Sequence, residues 1–179
     1  MGRIYDSITP ELAEWIGRQR IFFVATAPLA REGHVNCSPK GLDCLRVLGP
    51  RSVAYLDLTG SGIETVAHLR ENGRIVLMFC AFEGPPKIVR LHGRGTILKP
   101  GEPAFDELRP RFPELIGVRS LVHVDVTRIG TSCGFGVPRF DAVADRDQLP
   151  RYHEAKREEG LADYRRTKNA ASIDGLPGI

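Results

Sequence analysis

The sequence lacks long apolar runs, and it also lacks the spaced cysteine and histidine patterns of metal sites and nucleophilic enzymes. No apolar stretch reaches the length of a membrane span, and the N-terminal residues have no apolar signal core, so we expect a cytoplasmic protein without a membrane anchor. The four cysteines contain no CxxC pair, the five histidines form no HExxH, and no Gly-x-Ser-x-Gly elbow is present. We therefore expect no metal site, and we expect the cysteines to be buried and reduced.

Strong charge of either sign is also missing. The 179 residues carry a formal net charge of +3, and no block of lysines and arginines is long enough to indicate a nucleic-acid-binding tail. With 42% hydrophobic and 26% charged residues, the chain has the composition of one globular domain with a substantial core. No nucleic-acid partner is expected.

What the sequence does contain is a strand, a turn, a helix and further strands in close succession between residues 53 and 94. An apolar strand, 53–58, runs into the turn Thr59-Gly60-Ser61-Gly62, and a short helix follows up to Asn72. A helix that starts after a glycine-rich turn presents unpaired backbone N–H groups. An anionic group such as a phosphate can bind there.

The same turn has a purely structural interpretation. Ser61 and Glu64 have the spacing of a capping box, in which each side chain bonds the other residue's backbone N–H. Asn72 and Gly73 then end the helix, because glycine adopts a positive φ without strain. The turn by itself does not decide between a cap and a phosphate site.

Short strands fill most of the remaining sequence, where apolar residues alternate or run together between turn residues. The predicted strands are 21–26, 34–38, 44–48, 53–58, 74–82, 87–98 and 120–129. Pro39 is expected to end the second strand. Thr9-Pro10 predicts the start of a first helix, and another short helix is expected at 103–112. Many strands with only short helices between them favour a closed or split antiparallel barrel.

Three places have both a binding and a structural interpretation. Lys40 follows a proline and precedes a glycine at a strand end, which either aims its ammonium group into a pocket or leaves it in a solvated turn. In the strand 87–98 one face is largely apolar, and the other carries Arg90 and His92, which face either water or an anion. The glycine-rich segment around Phe135 is either a plain exit loop or a ligand contact.

The chain divides into two predicted segments. Residues 1–140 contain the barrel, and residues 141–179 form a helical arm with an extended tail. The predicted helix at 150–169 is highly charged and has few apolar residues, so it is not stable alone. We expect it to pack on its own body or on a partner subunit.

The order and spacing of several segments resemble those of the pyridoxamine 5′-phosphate oxidase-related family. The segments are 22–27, 33–41, 55–62, 72–79 and 90–94, and the resemblance covers about residues 10 to 135. It implies a mainly β fold with short helices, the FMN-binding split barrel, with six to seven antiparallel strands and a C-terminal helical arm. It also implies a homodimer that binds FMN at the subunit interface.

The resemblance further implies a set of cofactor-binding residues. The strand that ends at Lys40 would lie along the flavin, the turn and helix start after the 53–58 strand would meet its phosphate, and the region from Lys87 to Arg90 would contact the ring or the phosphate. Phe135 would pack beside the ring. The candidate residues are Asn36, Ser38, Lys40, Ser61, Gly62, Thr65, Lys87, Arg90 and Phe135.

Two departures from the family pattern bear on the substrate. The oxidases proper place an Arg-Lys pair at the start of the phosphate-facing helix, where this chain has Glu64-Thr65. They also end in a strand that contains tryptophan and an Arg-x-His motif, whereas the segment 172–179 contains neither arginine nor histidine. We therefore do not expect the protein to oxidise pyridoxamine phosphate.

The resemblance thus implies an FMN-dependent oxidoreductase, and the two departures indicate that it acts on another small molecule. The sequence identifies no catalytic residue, because hydride transfer to a flavin requires no protein base. One alternative is a flavin-binding or ligand-sensing protein without turnover. Another is a split barrel that uses a deazaflavin or haem.

Overall fold

The computed structural model describes residues 2–141 and 144–179, so Met1, Ala142 and Val143, which fall in the two predicted segments, lie outside it. The described residues form one antiparallel sheet in which the strands are ordered β3-β2-β6-β7-β8-β5-β4, and β1 pairs with β8. The strands are β1 (Ile4–Tyr5), β2 (Phe22–Thr26), β3 (Asn36–Lys40), β4 (Leu45–Gly49), β5 (Ser52–Leu58), β6 (Arg74–Cys80), β7 (Ile88–Leu98) and β8 (Val118–Ser132). The predicted mainly β split barrel with short helices is confirmed.

Four helices accompany the sheet in the described residues: α1 (Pro10–Gly17), α2 (Glu64–Asn72), α3 (Pro103–Leu108) and α4 (Gln148–Lys168). Helix α1 begins as the sequence predicts, since the Leu12 N–H donates to Thr9 Oγ1 at 3.3 Å and Pro10 is the first helical residue. Leu12 and Ile16 are buried on its inner face. No helix in the described ranges has the length and apolar composition that crossing a bilayer requires.

The core lies between the inner faces of the strands. Phe22 is central to it, because its ring centroid lies 5.6 Å from that of Tyr55 and 5.6 Å from that of Phe79. The alternation predicted for β7 is also observed, since Val89 and Leu91 are fully buried. The opposite face of β7 is half-buried or exposed.

Strand β3 is shifted relative to its prediction. It was expected to end at Pro39, but it continues to Lys40, which pairs with Phe22 of β2. Among the described strands β3 pairs only with β2, so it is an edge strand. A proline is tolerated there, because the N–H that it lacks would face the unpaired side of the sheet. The barrel is split along this free edge of β3.

The predicted capping box of α2 is wrong. The helix starts at Glu64 and its N-cap is Ile63, which leaves Ser61 too far upstream to reach the first turn. The Glu64 carboxylate instead accepts the Ile173 N–H at 3.3 Å. The predicted helix end is confirmed, because Gly73 has a φ of 69° and its N–H donates to the Leu69 carbonyl oxygen at 3.0 Å.

The expectation of buried cysteines holds for only two of the four. Cys44 and Cys80 are buried, and burial raises the pKa of the Cys44 thiol to about 12, so this thiol stays protonated. Cys37 and Cys133 are exposed, because they lie on the outer face of β3 and just beyond β8.

Helix α4 is interrupted at Arg157, whose φ of 57° is not helical. The described contacts of α4 are to the barrel of its own chain. The imidazole of buried His153 lies 2.8 Å from the Thr59 carbonyl oxygen, Arg165 donates to Thr59 Oγ1 at 3.2 Å, and Leu161 is fully buried. The residues after α4 turn back as a short hairpin, in which Ala171 bridges to Pro177.

Candidate functional site

A group of polar side chains lies on the inner face of β3, where this strand meets residues of β2, β5 and α2. Alternate residues of β3 belong to it, because residues two apart in a strand share a face. That face continues the buried side of β2, since Ser38 pairs with Val24 and Lys40 with Phe22. We call this the β3 cleft, and its polar residues are Thr26, Asn36, Ser38, Lys40, Asp57, Thr65 and His68.

At its inner end the cleft is closed by hydrogen bonds between β3, β2 and α2. The Asn36 amide donates to Thr26 Oγ1 at 3.1 Å and to Thr65 Oγ1 at 3.0 Å. Thr26 Oγ1 in turn lies 3.0 Å from His68 Nδ1. Because both amide hydrogens of Asn36 are used, its carbonyl oxygen is left to accept a hydrogen bond from a ligand.

His68 is fully buried, and burial lowers its pKa below the ordinary value of 6.5. The imidazole is therefore neutral near neutral pH. Its Nε2 atom is buried and has no hydrogen-bond partner among residues 2–141 and 144–179.

At its outer end the cleft contains a buried ion cluster. Asp57 is fully buried and accepts hydrogen bonds from Arg119 Nε at 2.6 Å and from Ser120 Oγ at 3.2 Å. The Lys40 ammonium lies 3.8 Å from the same carboxylate, and the Lys40 side chain is 21% exposed. Two cations thus surround one carboxylate, so this end of the cleft is positive and opens to solvent at Lys40.

The middle of the cleft contains a second polar atom without a partner. Ser38 Oγ is buried and forms no hydrogen bond within the described part of the chain. Leaving a buried polar atom unpaired costs about 1–3 kcal/mol, and native proteins rarely accept this without a ligand or water. Ser38 Oγ and His68 Nε2 are closed to solvent here, so a ligand with a polar edge pairs with them only when the side chains that cover them move.

The turn before α2 is less suited to a phosphate than the sequence suggested. Ser61 is exposed, and the carbonyl oxygens of Gly60 and Ser61 accept from Asn169 Nδ2 at 2.9 and 3.4 Å. The carboxylate of Glu64 folds back over Gly62. The turn thus presents acceptor oxygens, which repel an anion.

The remaining predicted site residues lie elsewhere in the protomer. The Lys87 ammonium stacks on the Trp15 ring, 4.8 Å from its centroid. Arg90 points to the outer face of β7 and donates to Ser132 Oγ at 3.1 Å. Phe135 is 81% exposed. The structure thus brings together Asn36, Ser38, Lys40 and Thr65, and it does not bring Ser61, Gly62, Lys87, Arg90 and Phe135 into the same cleft.

Sequence reasoning missed four polar residues of the cleft and its surroundings, which are Thr26, Asp57, His68 and Arg119. His68 follows Thr65 by three residues on α2, so the two share a helix face, and this spacing was a usable signal. Asp57 is a carboxylate in an otherwise apolar strand, which usually indicates a buried partner. Nothing in the sequence indicated that the partner is Arg119, more than sixty positions later.

Comparisons with known proteins agree with this architecture. The sequence family described as pyridoxamine 5′-phosphate oxidase matches residues 8–133. The pyridoxamine 5′-phosphate oxidase family protein ustO of Aspergillus flavus is 40% identical over 192 residues, which cover 98% of this chain and 77% of that protein.

Two solved structures show the same fold. HupZ of Group A Streptococcus aligns with a TM-score of 0.52 at 24% identity, over 68% of this chain and 91% of that one. An FAD-binding protein of Mesorhizobium loti aligns with a TM-score of 0.50 at 12% identity, over 73% of this chain and 96% of that one.

Proposed function

The chain belongs to the pyridoxamine 5′-phosphate oxidase family, and from this we propose that it binds FMN in the β3 cleft as an oxidoreductase. Its substrate is a small molecule other than pyridoxamine phosphate. The observation that carries the proposal is that Ser38 Oγ and His68 Nε2 are buried without a partner in the described residues, where Tyr55 Oη is the third such atom. The FAD-binding protein among the structural relatives supports a flavin as the cofactor.

Each residue of the cleft has a definite task in this proposal. Asn36, whose amide is held by Thr26 and Thr65, offers an oriented carbonyl oxygen to a donor on the ligand. Ser38 and His68 offer the unpaired atoms. Lys40 supplies positive charge at the open end, where an anionic group of the ligand is favoured. A bound flavin would supply the hydride chemistry itself.

The position of the anionic group differs from the first expectation. The turn at Ser61 and Gly62 presents carbonyl and carboxylate oxygens, and Glu64 stands at the start of α2. A phosphate there would meet repulsion rather than attraction. We therefore assign the anionic group to the Lys40 end of the cleft.

A homodimer is the second part of the proposal. Phe135 and Val35 are 81% and 73% exposed, and Val35 directly precedes β3. Val35 beside the proposed ligand site and Phe135 elsewhere on the surface are exposed apolar side chains that favour contact with a second copy of the chain. In a dimer, Phe135 and Lys87 reach a flavin only from that second copy, because they lie outside the cleft of their own protomer.

The first experiment is the absorbance spectrum of the purified protein, followed by mass identification of the released cofactor.

Lys40→Ala should weaken FMN binding by about 1.5–3 kcal/mol, because it removes a charge-assisted contact. Ser38→Ala should weaken it by about 1 kcal/mol, because it removes a neutral hydrogen bond. Fluorescence titration of the flavin-free protein measures both.

Lys99→Ala is the matched control, since Lys99 is exposed and follows β7 at a distance from the cleft. Thermal unfolding of each flavin-free variant separates loss of binding from loss of fold. Unchanged FMN affinity in both Lys40→Ala and Ser38→Ala would refute the site. A released haem or deazaflavin would refute FMN as the cofactor.

Turnover requires its own test. NADH and NADPH are added to the flavin-loaded protein without oxygen, and the loss of the flavin absorbance band is followed. Bleaching by either donor, reversed by oxygen, supports an oxidoreductase. Two negative results together indicate a flavin-binding protein without catalysis. Neither donor bleaches the bound flavin, and no candidate acceptor reoxidises flavin that dithionite has reduced.

A further inference from the structure

A second cleft, rich in arginine, lies on the outer face of β7 and β8. Its volume is about 310 Å³, which is near the lower limit for small-molecule sites. We call it the arginine cleft, and it is lined by Gly2, Arg3, Ile4, Arg90, Arg128, Gly130 and Thr131.

Paired strands fix the walls of the arginine cleft. In the strand register Gly130 of β8 lies between Arg90 of β7 and Ile4 of β1. Arg3 is held beside β8, because the Thr131 N–H donates to its carbonyl oxygen at 2.8 Å. Gly130 has no side chain, so the floor between the arginines stays open.

The charge of this cleft is uncompensated. None of its lining residues carries a carboxylate, and Arg3, Arg90 and Arg128 form no ion pair in the part of the chain that the structure describes. The one side-chain hydrogen bond of Arg90 goes to the neutral Ser132 hydroxyl. Three like charges around one opening attract an anion, and the guanidinium fork matches phosphate and carboxylate oxygens.

The pKa of His92 responds to the same positive charges. It faces Arg128 across the strand pair and lies two residues from Arg90 in β7. Burial lowers the pKa of His92, and the positive charges of Arg128 and Arg90 lower it further. The electrostatic potential at this face is therefore positive, and it is positive at the His92 imidazole as well.

We propose that the arginine cleft binds the phosphate or carboxylate group of a small molecule and is a separate site from the β3 cleft. Arg90 and Leu91 point to opposite faces of β7, and Leu91 is fully buried in the core. The sheet thus stands between the arginine cleft and the β3 cleft. The inference does not depend on flavin binding.

Isothermal titration of the flavin-free protein tests the proposal with inorganic phosphate and malonate as probes. Saturable binding of one molecule per protomer is expected. Arg128→Gln and Arg3→Gln should each weaken it about tenfold or more, because each removes a charge-assisted contact. Arg31→Gln, at an exposed loop arginine, is the matched control and should leave the affinity unchanged. Binding of phosphate alone identifies a phosphate ligand, and binding of both identifies a general oxyanion site.

NMR titration of the His92 imidazole measures its pKa with and without phosphate. A variant that merely unfolds does not reproduce the expected change in this pKa. A bound anion offsets the field of Arg90 and Arg128, so saturating phosphate should raise the pKa of His92. In Arg128→Gln the pKa of His92 should start higher and respond less to phosphate.

Several outcomes overturn the inference. Absence of saturable binding, equal affinity in the wild type and in both cleft variants, or an unmoved His92 pKa would each do so. Displacement of phosphate by FMN would show that the cleft belongs to the flavin and is not a separate site. Failure to bind any flavin would overturn the proposed function while leaving these measurements intact.

Discussion

At the scale of single residues, a neutral imidazole is central to the β3 cleft. His68 lies in the core side of α2, where a charge would be poorly solvated, and its Nδ1 is engaged with Thr26. A protonated ring would instead carry a buried charge with no carboxylate bonded to it and an unpaired Nε2–H. The buried ring therefore requires the uncharged form of His68.

This requirement predicts a pH dependence of stability. Burial lowers the folded-state pKa of His68, so below its ordinary value of 6.5 the unfolded chain binds more protons than the folded one. The free energy of unfolding should fall as the pH drops through 6.5 and below. Urea denaturation between about pH 5 and 8 measures this slope. His68→Gln, which keeps a polar side chain, should flatten it.

His92→Gln serves as the comparison, because burial and two arginines lower the pKa of His92 in the same direction. His92→Gln should remove only the part of the pH dependence of stability that His92 contributes. If His68→Gln retains the full pH dependence of the wild type, the neutral imidazole is not what the folded state requires.

At the scale of elements, strands and helix ends followed from local sequence more closely than the contacts between them. Strand β7 was predicted at 87–98 and is observed at Ile88–Leu98, because its alternation reflects burial of one face. Strand β8 was predicted at 120–129 and extends to Ser132, since it pairs with β7, β5 and β1. That extension comes from long-range pairing, which local patterns do not encode.

The cleft shows why the site was only partly predictable. Asn36 and Ser38 were predicted from the family resemblance of their strand, and Lys40 also because it stands between a proline and a glycine at the strand end. Their partners Thr65 and Asp57 come from α2 and β5, which reach β3 across the open edge of the barrel. Sequence periodicity identifies which residues share a face, but not which faces meet.

The end of α2 gives a prediction at this scale. Gly73 has a φ of 69°, which costs a residue with a Cβ about 1–2 kcal/mol. Gly73→Ala should lower the free energy of unfolding by about that amount, and Gly73→Asn should cost less, since asparagine tolerates this conformation. Gly17→Ala at the end of α1 is the control, because φ there is negative and a Cβ meets nothing within 4 Å. Urea denaturation in which Gly73→Ala matches Gly17→Ala would contradict the assignment.

At the scale of the whole molecule, the C-terminal arm ties the two sides of the β3 cleft together. The Arg119 guanidinium, which holds Asp57, also donates to Asn169 Oδ1 at 2.9 Å, at the end of α4. Beyond it, Arg70 of α2 donates to the Gly178 carbonyl oxygen. The tail therefore contacts the helix side of the cleft directly.

The tail also holds the chain that enters β3. The Asp174 carboxylate accepts the His34 N–H at 2.8 Å and lies 2.6 Å from His34 Nδ1. Hydrogen bonds from His34 lower the pKa of Asp174, so this carboxylate is charged at neutral pH. Because β3 has strand contacts only with β2 in the described chain, the link at His34 adds to the side-chain contacts of Asn36 and Lys40 in holding the strand.

Asp174→Ala should therefore loosen β3 without unfolding the barrel. We expect faster amide hydrogen exchange in residues 34–38 and 170–179 and unchanged exchange in β7 and β8, because only the former segments lose an attachment. FMN affinity should fall severalfold, since Asn36 and Ser38 lose part of their preorganisation. Asp163→Ala, which removes an exposed carboxylate on α4 that pairs with nearby Arg166, is the matched control. Unchanged exchange at residues 34–38 would show that β3 is positioned without the Asp174 link.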